Sequence, residues 1–196
     1  MTENSFRLVT LLIIITTFGI SGYFRHRAER YGGKLRGNEG QRPLKWIRFL
    51  GLSIWLPILL YIVNPAWVTL FKIEIPAWLR VAAVMIGAID TILIYWMFRT
   101  LDTNISPSHE TRENTTLITS GPYRFIRHPL YTFGYVAFAS LTLMTSLVWM
   151  FLITLLPFIL FVAWRTPREE EKLIAVFGDD YRQYMTQTGC FLPKLS

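Results

Sequence analysis

The chain has 196 residues, of which 52% are hydrophobic and 17% charged, and its formal net charge is +7. That balance is too apolar for an ordinary soluble domain, and the length fits a single domain covering residues 1–196. The basic residues sit between apolar runs instead of coating a polar surface, which excludes a nucleic-acid partner and points to a membrane.

A hydrocarbon core needs about 20 apolar residues per crossing, and five segments qualify. The first is Leu8 to Phe24 (LVTLLIIITTFGISGYF). It lacks a Lys/Arg-rich segment before it and a small-residue cleavage site after it, so it is expected to stay as a membrane helix. The second runs from Trp46 to Val63 and the third from Trp78 to Phe98. Asp90 lies inside the third, where an ionisable group is costly. Its role stays open between a structural pair, with an arginine, and a functional site.

The fourth and fifth segments share 35 residues, Leu130 to Trp164, that carry no charged side chain. As one helix they would reach about 52 Å, too long for one crossing. A split near Thr145-Ser146 gives a tight hairpin, Leu130 to Thr145 and Leu147 to Trp164. Pro157 is expected to kink the last helix. After Arg165 the chain turns polar. Leu173, Ile174, Phe177, Tyr181 and Tyr184 recur at the spacing of an amphipathic helix. Thr166-Pro167-Arg168-Glu169 has the form of a capping box that starts a new helix. Gly178 is expected to end it, with a second short helix over Asp179 to Thr186.

Seventeen of the 20 basic residues fall in three stretches, Arg25 to Arg48, Arg99 to Arg127 and Arg165 onward. With five spans these stretches share one side, leaving Arg7, Lys72 and Arg80 on the other. This asymmetry places the N-terminus outside and the C-terminus in the cytoplasm. Trp46, Trp67, Trp78, Trp96, Trp149 and Trp164 sit near predicted ends, as interfacial anchors do. The lone Cys190 excludes an intramolecular disulfide and a cysteine metal cluster. No Cys–His spacing supports a nucleophilic thiol, and no metal site is expected.

A hairpin returns the chain to its starting level. GPYRFIRHPLY, residues 121 to 131, and WRTPREEEKL, residues 164 to 173, must therefore be neighbours. This gathers Arg127, His128, Arg165 and Glu169 to Glu171 into one polar mouth. An arginine fork holds carboxylate or phosphate, and a glutamate pairs with it or with a cationic ligand. Tyr123, Tyr131, Tyr181 and Tyr184 can pack on a planar base. Taken singly, the same residues have plainer uses. Arg127, His128 and Arg165 serve as interfacial charges, and Glu169 to Glu171 as a favourable negative first turn.

The stretch LITSGPYRFIRHPLY (117 to 131), a hairpin, Arg165 with Glu170, Glu169-Glu170-x-x-Leu173, Phe177-Gly178-x-x-Tyr181-x-x-Tyr184 and Pro193 follow in order. This pattern resembles the isoprenylcysteine carboxyl methyltransferases and related membrane methyltransferases, including phospholipid N-methyltransferases. It covers about residues 115 to 193, and prokaryotic five-span members are the most similar in layout. The resemblance implies an all-α integral membrane fold with a cytoplasmic helical tail covering the cofactor. It implies S-adenosylmethionine as methyl donor and a lipophilic acceptor entering from a bilayer, expected to be a prokaryotic plasma membrane.

By the same likeness, Thr116, Leu117, Ile118, Tyr123, His128, Pro129, Leu130, Tyr131, Tyr181 and Tyr184 line the cofactor pocket, with Pro193 as a further wall. Arg165 and Glu170 are implied as the catalytic pair. For a carboxylate acceptor, Arg165 holds the acceptor and Glu170 orients Arg165. For an amine acceptor, Glu170 is the candidate base. The chain lacks the extra N-terminal spans of larger eukaryotic members, and the acceptor is contacted mostly outside the matched region. Two other readings stay open. Membrane sterol reductases are distantly similar in this region and use a nicotinamide cofactor, and a non-enzymatic scaffold or small transporter would use Asp90.

Overall fold

The computed structural model describes residues 1–32, 45–105 and 115–194. Lys34, Arg36, Arg42 and Arg112, and the side chains of Lys45, Trp46 and Arg48, lie outside the described residues. Six α-helices follow in order: α1 (Glu3–Tyr31), α2 (Lys45–Val63), α3 (Ala77–Leu101), α4 (Pro129–Met144), α5 (Val148–Phe177) and α6 (Asp179–Gln187). Among the described residues there is no strand, only an isolated parallel bridge between Ile126 and Gly189.

All five expected apolar segments are helical. Helices α1, α3 and α5 are long and apolar enough to cross a membrane. Helix α4 has 16 residues, about 24 Å at 1.5 Å each, against a hydrocarbon core of about 30 Å. Rows of large apolar side chains stay exposed, such as Leu8, Leu12 and Ile15 on α1, Met85, Ile89 and Ile92 on α3, and Leu152 and Leu156 on α5. Contiguous apolar surface on this scale needs lipid around it, and the protein is an integral membrane protein of all-helical fold.

Two compact units divide the chain, with α1, α3, α4 and α5 each contributing to both. The first holds described residues within 1–16, 45–91 and 136–157. Tyr61, Ile58, Val68, Met144 and Leu147 are buried in it. Its hairpin turn lies where expected: α4 stops at Met144, Ser146 takes φ +62° and α5 begins at Val148. Leu147 N–H returns to Thr142 O at 2.8 Å, which closes the turn.

Arg80 organises this unit. It donates to Glu3 at 2.9 Å, to the Tyr61 hydroxyl at 3.2 Å and to the Met144 carbonyl at 2.8 Å. It also lies 3.8 Å from the Phe6 ring centre. Lys72 reaches Glu3 at 2.6 Å, and Arg7 bonds the carbonyls of Ile62 and Val63 at the end of α2. Orphan carbonyls at helix ends need such donors. Asp90 is 2% exposed, and neither of its oxygens has a hydrogen-bond partner among the described residues. Among the described residues no arginine pairs with Asp90, and Arg80 of the same helix is committed to Glu3.

The second unit holds described residues within 17–32, 92–105, 115–135 and 158–194. Phe24 of α1 stacks on Phe98 of α3 with ring centres 6.1 Å apart, and Tyr135 of α4 on Phe158 of α5 at 4.2 Å. One expectation is overturned here. No new helix starts at Thr166, because α5 runs unbroken through Pro167 to Phe177. The Thr166 hydroxyl caps nothing; it is buried without a hydrogen-bond partner. A proline removes one helical hydrogen bond, and the amphipathic face beyond it keeps the helix going. Gly178 does end the helix, and α6 follows at once.

Candidate active site

Residues 115–131 reach the second unit's polar centre in three steps. Residues 115–119 form neither helix nor strand, and Asn104 holds Thr116 through its amide N–H at 3.3 Å and its hydroxyl at 3.4 Å. A 3-10 turn, Gly121–Arg124, then redirects the chain. Gly121 takes φ +59°, and a Cβ there would lie 2.5 Å from Thr100 Oγ1, so position and conformation both demand glycine. Finally, Pro129 starts α4, where its missing N–H costs nothing.

The segment after α6 is strapped to this turn by main-chain bonds. Arg127 N–H donates to Gly189 O at 2.8 Å and His128 N–H to Cys190 O at 3.1 Å. Thr132 Oγ1 donates to Phe191 O at 2.8 Å. Gly189 is again forced: a Cβ would lie 1.9 Å from Leu192 O. Tyr184 of α6 donates its hydroxyl to Tyr123 O at 2.5 Å.

Two carboxylates of α5 meet this segment, each with its own guanidinium. Glu170 accepts from Arg127 Nε at 2.8 Å and lies 3.1 Å from His128 Nε2. Glu169 accepts from Arg165 Nε at 2.8 Å and from the Tyr131 hydroxyl at 2.9 Å on both oxygens. The expected Arg165–Glu170 partnership is thus replaced: Glu169 orients Arg165. Adjacent helix residues point about 100° apart, so Glu169 and Glu170 serve different partners.

Arg127 reaches further than an interfacial anchor does. Its Nη1 donates to the carbonyls of Met185, at 3.2 Å, and Thr188. One guanidinium therefore ties the RHP segment to α5 and to the C-terminal end of α6. His128 is buried, and its ring packs against those of Tyr131 and Phe191, each 5.9 Å away, which also meet each other at 6.4 Å. Beyond the apolar part of α5, burial alone would raise the Glu170 pKa. The hydrogen bonds from His128 and Arg127 outweigh it and hold Glu170 below the usual carboxylate range. An ionised Glu170 only accepts, so His128 Nε2 carries the proton between them.

His128, Glu170 and Cys190 place possible ligand atoms within 4.8 Å of one another. The trio is a poor metal centre. Arg127 already occupies the same Glu170 oxygen as His128, and burial pushes the Cys190 thiol up, away from the thiolate a metal requires.

Of the residues singled out in the sequence, the structure brings His128, Tyr131, Arg165 and Glu170 together. Tyr181 and Tyr184 are buried on α6 with ring centres 5.7 Å apart. Leu117 and Ile118 are half-buried ahead of the 3-10 turn, Pro129 is buried, and Leu130 and Pro193 are exposed. Sequence reasoning missed Glu169 as the partner of Arg165 and Tyr131, and Arg127 as the hub. The Glu-Glu pair carried the signal for the first; nothing local signalled the second. A polar cavity of about 480 Å³ lies between Thr119 and Arg124 on one side and Asp180, Gln183, Tyr184, Gln187 and Thr188 on the other.

The model of the phospholipid methyltransferase family matches residues 78–180, just over half of the chain. The cobalt-zinc-cadmium resistance protein CzcN of Cupriavidus metallidurans is 34% identical over 85 residues, 43% of this chain and 39% of that one. The nickel-cobalt-cadmium resistance protein NccN of Alcaligenes xylosoxydans xylosoxydans matches with the same identity and coverage. The chain thus spans about two-fifths of the length of the curated relatives it matches. A solved structure, the eukaryotic intramembrane Ras methyltransferase ICMT (isoprenylcysteine carboxyl methyltransferase), superposes with a TM-score of 0.58 at 20% identity. That match covers 78% of this chain and 53% of ICMT.

Proposed function

The chain belongs to the phospholipid methyltransferase family, and from that premise we propose that it methylates a lipid-like or prenylated acceptor at a carboxylate, using S-adenosylmethionine. S-adenosylmethionine, when bound, supplies an electrophilic methyl group on a positively charged sulfur. The residues present fit such a ligand. The cavity beside α6 is of ligand size, and its Thr119, Gln183 and Gln187 side chains can bond ribose and base. Tyr184 lines it, while Tyr131, Tyr181 and His128 supply ring faces nearby on α4, α6 and the RHP segment.

The observation that carries the acceptor reading is the matching of each glutamate with its own guanidinium. A carboxylate acceptor needs a cation to hold it and no base. Arg165, fixed through Nε by Glu169 and 28% exposed, is placed for that task. An amine acceptor must lose a proton, and a glutamate held below the usual range is a weak base at neutral pH. The basic residues that gather in the stretches carrying this cluster support a cytoplasmic active site. The donor then arrives from water and the acceptor sideways from the bilayer.

The test is methyl-labelled S-adenosylmethionine incubated with the detergent-purified chain and a membrane lipid extract. Label released by mild alkali marks a methyl ester and supports the proposal. Alkali-stable label on lipid amines overturns the carboxylate in favour of N-methylation. No label, with folded protein that binds a nicotinamide dinucleotide instead, overturns methyl transfer itself.

A further inference from the structure

A second cavity, of about 470 Å³, is lined by Tyr23, Phe24 and Arg27 of α1, Tyr95 and Arg99 of α3, and Asp102 just beyond α3. None of these residues takes part in the cluster around Glu169 and Glu170. Phe24 is buried and braced by Phe98 and by Tyr95, 6.0 Å away, which gives the cavity a firm aromatic wall. Arg27 donates Nε and Nη2 to the two Asp102 oxygens, at 2.6 and 3.4 Å. Asp102 takes φ +43°, a conformation that costs free energy in a residue other than glycine. The fork from Arg27 holds it there, and Asp102 in turn fixes Arg27. Arg99 has no carboxylate partner among the described residues. Among the described residues, two guanidiniums against one carboxylate give the lining one net positive charge.

We propose that this cavity binds the phosphodiester of a membrane phospholipid, with Arg99 as its main ligand and the anchored Arg27 as its second. A phosphodiester carries one negative charge, which the lining matches. Its two non-ester oxygens suit a guanidinium fork. Tyr23 and Tyr95 offer hydroxyls beside rings, the combination that settles at the headgroup level. Ile92 and Trp96, exposed on α3 next to the cavity, give acyl chains an apolar surface. A soluble phosphate shares the anion chemistry but leaves that surface unused. The site goes beyond the methyl-transfer reading and stands without it.

The full chain, purified in detergent, is titrated with dihexanoyl-phosphatidylglycerol and the bound complex is counted by native mass spectrometry. Arg99→Gln is expected to weaken binding by roughly tenfold or more, as loss of a charge-assisted pair implies. Arg25→Gln removes a neighbouring charge that bonds Ser21 and lies outside the cavity; binding should stay within about twofold. Millimolar inorganic phosphate should not displace the lipid. Displacement would assign the cavity to a soluble phosphate and overturn the lipid reading. Unchanged binding in Arg99→Gln, or equal weakening in Arg25→Gln, would overturn the site.

Discussion

Glu3, Lys72 and Arg80 in one unit, and Arg127, Arg165, Glu169 and Glu170 in the other, are both networks of ion pairs at 2.6 to 2.9 Å. In the first, Arg80 spends its donors on a carboxylate, a tyrosine hydroxyl and the Met144 carbonyl, and its face covers Phe6. That is a fastening. In the second, Arg127 repeats the arrangement: one carboxylate and the carbonyls that close α6. Arg165 has no counterpart in the first network. It takes a carboxylate four residues along its own helix and lies 5.4 Å from the Phe161 ring. The difference teaches how to sort arginines at a membrane edge. Those that satisfy helix-end carbonyls hold the fold, and Arg165, which does not, is the one we propose for the acceptor.

The largest expected effect separates Arg165 from both struts. Arg165→Ala should lower methyl transfer by about 100-fold or more, the scale of losing a charged transition-state contact. Its melting temperature should barely move, since an i,i+4 pair contributes only about 0.3–0.5 kcal/mol. Retained activity would return Arg165 to the class of anchors. Arg127→Ala should do the reverse first: it leaves Glu170 buried and unmatched, which costs roughly 3 kcal/mol, visible as a lower melting temperature in detergent. Limited proteolysis should then cut the 187–194 segment more readily.

Arg80→Ala should lower the melting temperature as well, by an amount nearer 1–2 kcal/mol because its partner Glu3 is 39% exposed. Cofactor affinity should be unchanged; a change would merge the two networks functionally. His128→Ala should weaken S-adenosylmethionine binding about tenfold by calorimetry, the effect of one well-made contact. Acid tests the second network through Glu170. Its folded pKa is depressed, so its contribution is fully present above the usual carboxylate range and is lost as pH falls through the lower folded value. Glu170→Gln should flatten that acid limb of a melting-temperature profile. Cys190→Ser, the smallest change, should leave activity and stability within about 0.5 kcal/mol.

The apolar runs and the hairpin were legible because chain length against bilayer thickness leaves few alternatives for 35 uncharged residues. The neighbourhood of the RHP segment and the glutamates followed from the hairpin alone. Two features were not legible. Thr166 to Glu169 carries every local sign of a helix start, yet α5 passes through it, since one lost hydrogen bond at Pro167 is small beside a continuing amphipathic face. Glu170 was expected to orient Arg165, whereas Glu169 does so, because spacing within a motif does not say which of two adjacent carboxylates faces a given guanidinium. The hub role of Arg127 depends on carbonyls about sixty positions later, a pairing no local pattern contains.

That separation also has a meaning in time. The Thr188 carbonyl lies 61 residues after Arg127, so at about 5–20 residues per second it leaves the ribosome some 3 to 12 seconds later. The carboxylate partner of Arg127, Glu170, 43 residues on, emerges before that, so the ion pair can form first and the helix-end contact only afterwards. The bond that fastens this segment to the end of α6 is therefore among the last that the region can complete as the chain is made.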